Sequence, residues 1–192
     1  QELIRSKLTL QQRLEVSRAR MADGEVLREV ATADMHNIRQ TLEEMDAATF
    51  DRAVDTVVSA RRVYVFGAGS CKALASFLTH YLQMLLGGST QLITAASQSE
   101  IFEEMLDITP ADAVIGISFP RYSSKAAKTL HYAHSKGVPV VAITDSRLSP
   151  IAPYASALLL AHSDMASIVD SLVAPMSIIN ALSVIATTRA PR

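Results

Sequence analysis

The chain has one cysteine, Cys71, among 192 residues. That scarcity excludes an intrachain disulfide framework and any cysteine-rich zinc site, and makes a reducing, cytoplasmic setting the expectation. A surplus of charge of one sign is also lacking: 18 Lys and Arg stand against 19 Asp and Glu, a net charge of −1. A chain that grips nucleic acid through its phosphates needs a basic surplus, so this one is not expected to hold DNA by itself. No basic segment runs into an apolar stretch and a small-residue cleavage site, so nothing reads as a secretory signal. No membrane span is expected either. The longest stretch without a charged side chain lies between Lys72 and Glu100, and Thr79, His80, Gln83, Gly87–Gly88 and Thr90 interrupt it. A span asks for about 20 predominantly apolar residues. The C-terminal apolar run is broken by Asp170 and Pro175, and the start at Gln1 rather than at a methionine suggests a piece of a longer protein.

What the chain does have is material for a core. Apolar residues make up 49% and mean hydropathy is +0.21, enough to exclude disorder over most of the length. Residues 1–62 carry 21 charged side chains and residues 63–192 only 16, which marks a boundary near Arg61–Arg62. The charged side reads as a helical arm. Val26, Val30, Ile38, Leu42 and Met45 form an apolar stripe on a first helix, and Phe50, Ala53, Val54, Val57 and Val58 form one on a second with Thr49 as its N-cap. Such stripes must pack on the following domain or on a second subunit.

After Arg62 short apolar runs alternate with helical stretches. Strands are expected at Val63–Phe66, Gln91–Thr94, Ala113–Ser118, Val138–Thr144 and Ala157–Ala161. Helices are expected at 70–86, 98–106, 123–136 and 165–188, the last kinked at Pro175. Strands without polar alternation, separated by helices, mean a parallel sheet covered on both faces. The expected fold is a three-layer α/β/α sandwich on a five-stranded parallel sheet, flavodoxin- or Rossmann-like, preceded by the helical arm.

In such a sheet ligands bind beyond the carboxyl ends of the strands. Gly67-Ala68-Gly69-Ser70-Cys71-Lys72 begins like a dinucleotide fingerprint, but Lys72 stands where the third glycine belongs. The second strand, too, ends in Thr94-Ala95-Ala96 with no acid for a ribose, so no nicotinamide cofactor is expected. Ser118-Phe119-Pro120-Arg121-Tyr122-Ser123-Ser124-Lys125 brings hydroxyls, a guanidinium and the free N–H groups of a helix start together, which suits a phosphorylated small molecule. Ser123 is also simply the N-cap that its position predicts. Arg121 has three readings: an incidental surface charge, a partner for an acid such as Glu100 or Asp145, or a ligand for an effector anion. Glu100, Glu103 and Glu104 near a helix start read as dipole compensation. His131 and His134 have no carboxylate or cysteine at ligand spacing, so no metal site is expected, and no P-loop, G-x-S-x-G or H-E-x-x-H occurs.

The segments VYVFGAGSC (63–71), IGISFPRYSS (115–124) and GVPVVAITDS (137–146) occur in that order. With Thr144-Asp145 and Pro150-Ile-Ala before the last strand, they resemble the sugar isomerase (SIS) domain over about residues 62–188. More narrowly, they are similar to the SIS domain of the RpiR/MurR family of bacterial transcriptional regulators. The resemblance implies that residues 63–192 bind a sugar phosphate or related sugar acid. It implies further that residues 1–62 are the helical linker from an upstream helix-turn-helix domain, through which alone operator DNA is bound. It assigns Gly67, Gly69, Ser70 and Cys71 to a first ligand loop and Ser118, Tyr122 and Ser123 to a phosphate loop, to which Arg121 and Ser124 are added as neighbours. Two departures stand out. Cys71 occupies the place of a ligand-contacting serine, and Pro120-Arg121 replaces the common Ser-Gly.

The expected function is effector sensing without catalysis and without a cofactor, in a homodimer or higher homo-oligomer. The alternative on the same fold is an aldose–ketose phosphate isomerase with Glu100, Glu103 or His80 as nominal base. A third is an interaction module with an empty pocket.

Overall fold

The computed structural model describes residues 25–87, 89–165 and 169–189. Two helices come first, α1 (Val26–Glu44) and α2 (Ala47–Ser59). Then follow β1 (Val63–Gly67), α3 (Cys71–Leu85), β2 (Thr90–Leu92), α4 (Gln98–Glu104), β3 (Ala113–Ile117), α5 (Ser124–Ser135) and β4 (Val140–Thr144). A single 3₁₀ turn (Ala152–Tyr154), β5 (Ala157–Leu160) and α6 (Val173–Arg189) complete the order. The sheet runs β2-β1-β3-β4-β5 with every pair parallel, Val63 facing both Thr90 and Ala113, and Val141 facing Ala157. The expected α/β/α sandwich and five-stranded parallel sheet are therefore present.

The strands explain their own sequence. All five residues of β1, β3 and β4 are buried, so both faces select apolar side chains, with Thr144 at the carboxyl end of β4 the buried polar exception, whereas the edge strands β2 and β5 show partial exposure. One side of the sheet is covered by α2, α3 and α6 through Val54, Leu74, Leu78, Leu82, Ile179 and Leu182. The other is covered by α4, α5 and the segment around Ile151, through Ile101, Met105 and Leu130. Each of these fully buried side chains contributes about 1.5–3 kcal/mol. At the amino ends of the strands, Asp112 is fully buried and accepts from Arg61 Nε and Nη2 at 2.9 and 2.8 Å and from Thr109 N at 2.8 Å, tying β1 to β3.

Three expectations change. The second helix is capped by Asp46, whose carboxylate accepts from Thr49 N at 2.9 Å, and not by Thr49 itself. Thr49 lies one turn inside, where its N–H is among those that need a cap. The last helix starts at Val173, so Pro175 is its third residue. A first-turn proline gives up no intrahelical bond, and Pro175 opens the helix where a kink was expected. The change on α1 is the largest. Its buried residues are Asn37 and Thr41, while Val26 is 37% and Leu42 76% exposed. The apolar stripe is split: Met45 packs against the core and Val30 and Ile38 are half-buried, while Val26 and Leu42 face solvent. A polar row shares the inward face: Asn37 Nδ2 donates to Asp164 O at 2.9 Å, Thr41 Oγ1 accepts from His162 N at 2.9 Å, and Glu44 meets His162 Nε2 at 3.0 Å. The stripe on α2 behaves as expected, with Ala53, Val54 and Val57 in the core. The fall in charge at Arg61–Arg62 thus lies within one packed body.

Candidate functional site

The strand order reverses between β1 and β3: the chain leaves β1 for β2 on one side and returns to β3 on the other. Crossover connections diverge at such a point and leave a crevice at the carboxyl ends. A cleft of about 690 Å³ lies there. One wall is Phe66–Gly69 with Lys72 and Ser76 of α3, a second is Leu92–Ala96, and the third is Tyr122–Lys125 at the start of α5.

Local chemistry shapes each wall. A β-carbon on Gly67 would stand 2.4 Å from the Cys71 carbonyl oxygen, so only glycine lets α3 start so close to β1. Gly69 turns the chain with φ +59°. The first amides of α3, on Cys71, Lys72 and Ala73, donate to the carbonyls of Ala68, Gly69 and Ser70. The anion-attracting helix end is therefore that of α5, where Ser123 accepts from Ala126 N at 3.4 Å and the first two helical residues, Ser124 and Lys125, line the cleft. Among the described residues, two lysines, Lys72 and Lys125, and no carboxylate line the cleft. Lys125 donates to Ala96 O, and Glu104 accepts from Ala95 N at 2.9 Å, so the wall after β2 is fixed from both sides.

The structure gathers Gly67, Gly69, Tyr122, Ser123 and Ser124 around this space. The other four residues named from sequence do not line it. Cys71 is 4% exposed within the core, and burial pushes its thiol up from its ordinary range, which makes it a poor thiolate. Ser118 is buried, and its N–H donates to Ile143 O at 3.1 Å. Ser70 Oγ lies 3.3 Å from Asp170 Oδ2. Arg121 pairs with that same oxygen at 2.5 Å and is 45% exposed. Of its three readings the structure gives the acid partner, but the acid is Asp170, neither Glu100 nor Asp145. Arg121 also has φ +67°, the only positive φ outside glycine among the described residues. The backbone takes a left-handed turn that glycine would adopt without strain, at about 1–3 kcal/mol for a side-chain-bearing residue. Tyr122 donates to Asp145 Oδ1 at 2.8 Å, and burial together with that bond pushes its hydroxyl far above the ordinary tyrosine range, so it stays protonated.

Sequence reasoning passed over Lys72, Lys125 and the Thr94–Ala96 wall. Both lysines sit in the first turn of a helix that follows a ligand loop, and that position was the available signal. The nominal bases are elsewhere or occupied. Glu100 closes a capping box, accepting from Ser97 N at 3.1 Å, and hydrogen bonds from Ser97 hold its carboxyl below the usual range. Glu103 is exposed on α4, and His80 lies along α3 with its ring against Tyr81. His131 and His134 contact the Tyr154 ring, and among the described residues no three His, Cys, Asp or Glu side chains cluster as a metal site would need. No described helix is long and apolar enough to cross a membrane.

Comparison with known proteins agrees with this fold. The family model described as SIS domain matches residues 56–185. An uncharacterized HTH-type transcriptional regulator of Haemophilus influenzae is 26% identical over 134 residues, 70% of this chain and 46% of that protein. The chain thus spans less than half the length of that relative. The sugar isomerase domain of an RpiR transcription factor from Sphaerobacter thermophilus is 31% identical, covering 87% of this chain and 92% of that one, with a TM-score of 0.81. Vibrio vulnificus NanR complexed with ManNAc-6P shares the fold at 14% identity, with 93% and 67% coverage and a TM-score of 0.75. So does the phosphoheptose isomerase GmhA of Neisseria gonorrhoeae, at 14% identity, 87% and 100% coverage and 0.71.

Proposed function

Because the chain belongs to the SIS domain family, we propose that it is the effector-binding part of a DNA-binding transcriptional regulator of carbohydrate metabolism. The observation that carries this reading is the cleft at the β1–β3 switch, with a helix N-terminus, two lysines, five hydroxyl side chains and, among the described residues, no acid. That is the environment of an anion attached to a polar ligand, and a sugar phosphate or related sugar acid is the effector. The ManNAc-6P bound to NanR supports this class, and the regulators among the relatives support the role. Its phosphate sits at Ser123, Ser124, Lys125 and the first turn of α5, and its sugar lies over Gly67–Gly69 toward Thr94. Operator DNA is contacted through an upstream domain, and binding in the cleft changes that domain's affinity by favouring one of two states of the molecule.

A sensor needs no base, and among the described residues no carboxylate or histidine lines the cleft. Proton transfer α to a carbonyl requires a titratable group within hydrogen-bond reach of the ligand. Glu100, locked in its capping box and held as a carboxylate, is not placed for it.

A thermal-shift panel of phosphosugars, sugar acids and unphosphorylated sugars tests the reading. A true effector at 100 times its Kd adds about 2.7 kcal/mol to stability, and phosphosugars or sugar acids are expected to do so where plain sugars do not. No shift with any of them refutes the sensor reading. Interconversion of an aldose and a ketose phosphate, abolished by Glu100→Gln, replaces it with the isomerase.

A further inference from the structure

Two consecutive residues, Asp170 and Ser171, reach in opposite directions. Asp170 Oδ2 accepts from Arg121 Nη2 at 2.5 Å and from Ser70 Oγ at 3.3 Å, and so joins the loops after β3 and β1. Ser171 Oγ donates to Asp34 Oδ1 of α1 at 2.6 Å. Ser171 is 8% exposed and its bond to Asp34 is shielded from competing water, whereas the Arg121–Asp170 pair is open to solvent on the arginine side, where an outside anion can reach it. A single peptide unit therefore connects both cleft loops to the first described helix.

That helix is seated in an unusual way. Leu27, Met35 and Leu42 face outward, and its hold on the sandwich includes the polar row Asp34, Asn37, Thr41 and Glu44. Asn37 Oδ1 and Gln40 Oε1 are buried without a partner. Buried orphans oppose docking, so the seat depends on the few bonds that are made. On the cleft side, Arg121 holds a left-handed backbone without being glycine, and its guanidinium is spent on a carboxylate of the chain itself.

The geometry points to Asp170 as an internal stand-in for the effector's acid group, and to Asp170–Ser171 as the latch that passes cleft occupancy to α1. This rests on the reading of the cleft as an anion-binding sensor. A phosphate or carboxylate at the start of α5 competes with Asp170 for Arg121, whose half-exposed guanidinium lies outside the cleft wall while paired and swings toward the anion, two residues before Ser123, when it lets go. When the anion takes the guanidinium, Asp170 keeps only its long contact to Ser70, residues 169–172 lose their anchor, and the Ser171–Asp34 bond loosens with them. The effector thus binds best to the state with α1 undocked, and that difference in affinity supplies the coupling. The departure from the family's Ser-Gly gains a role: an arginine at this place can be shared between an internal and an external acid, and a glycine cannot.

Hydrogen exchange of the α1 amides in the whole chain, with inorganic phosphate as probe, decides the matter. Without phosphate, Arg121→Gly removes the guanidinium and relieves the left-handed strain. It is expected to speed α1 exchange about fivefold while β1 and β3 exchange as in the wild type. Ser171→Ala gives the same result from the other side of the latch, and Arg147→Ala, removing an exposed cation on the neighbouring loop, leaves α1 unchanged. Asp170→Asn is expected to tighten phosphate binding about fivefold, since Arg121 is then free. With saturating phosphate the wild-type α1 exchanges as fast as in Arg121→Gly. Unchanged α1 exchange in Arg121→Gly overturns the latch, whether or not phosphate binds. Phosphate that binds the wild type without touching α1 overturns the coupling. If the ligand-free variants behave as expected but neither phosphate nor any phosphosugar binds, the latch stands as an internal contact and the sensor reading fails.

Discussion

Gly67→Ala puts the architecture of the cleft to a quantitative test. The new β-carbon would meet Cys71 O at 2.4 Å, Cys71 C at 2.9 Å and Ala75 Cβ at 3.1 Å, where ordinary contact begins near 3.4 Å. Two of the three obstacles are backbone atoms and cannot rotate aside, so the start of α3 must retreat by about 1 Å. That retreat lifts Leu74 and Leu78 from their packing on the sheet, and a small-to-large strain of this kind costs about 1–3 kcal/mol. In a domain of this size the melting temperature should fall by about 2–10 °C. Gly69→Ala is the internal control. Its φ is +59° but nothing lies within 4 Å, so it should cost only the left-handed penalty of about 1 kcal/mol. Urea unfolding of both variants at matched m-values measures the difference, and effector titration should show Gly67→Ala as the more damaged binder, because the wall carrying Lys72 has moved. If Gly67→Ala proves no costlier than Gly69→Ala, close approach of α3 to β1 is not what requires the glycine, and the account of this wall is wrong.

Other consequences are as direct. Burial works to raise the Asp112 carboxyl, but hydrogen bonds from Arg61 and Thr109 outweigh it and hold the group below its ordinary range. Its stabilisation is therefore present above the ordinary aspartate value and lost as pH falls through the depressed one. Wild type should lose stability on acidification below about pH 4 more steeply than Asp112→Asn, and parallel acid-unfolding curves would count against this. Lys72→Ala and Lys125→Ala should each weaken a phosphosugar by about tenfold and its unphosphorylated analogue by much less, as calorimetry can show; equal losses for both ligands would mean that the lysines do not meet the anion. Leu27, Met35 and Leu42 on α1 and Val184 on α6 leave apolar surface exposed, and the chain should be a dimer by light scattering at about tens of micromolar. A wild-type monomer there would refute it, and Leu42→Asp should weaken the association.

What the sequence determined by itself lies where local chemistry has one outcome. Val63–Phe66, Ala113–Ile117 and Val140–Thr144 carry no alternation, and a strand buried on both faces is the arrangement that accepts them, so the parallel sheet was legible. Ser123 before α5 and the apolar spacing on α2 were legible for the same reason: a cap and a stripe each have a single satisfying geometry. Tertiary structure decided the rest, wherever two local solutions were close in free energy. Pro175 fits both a kink and a first turn, and the position of Leu172 selected the second. On α1 the inward face is shared between half of the apolar stripe and a polar row. The polar row is there because the chain beyond β5 presents the His162 N–H and the Asp164 carbonyl, which leave water only if paired. Arg121 offered the sharpest ambiguity. A guanidinium will pair with whichever carboxylate the fold delivers, and Asp170, 49 residues further along, reaches it only because β3 and the segment before α6 end at the same side of the sheet. Partner choice at that distance is a property of topology, and no pattern local to either residue encodes it.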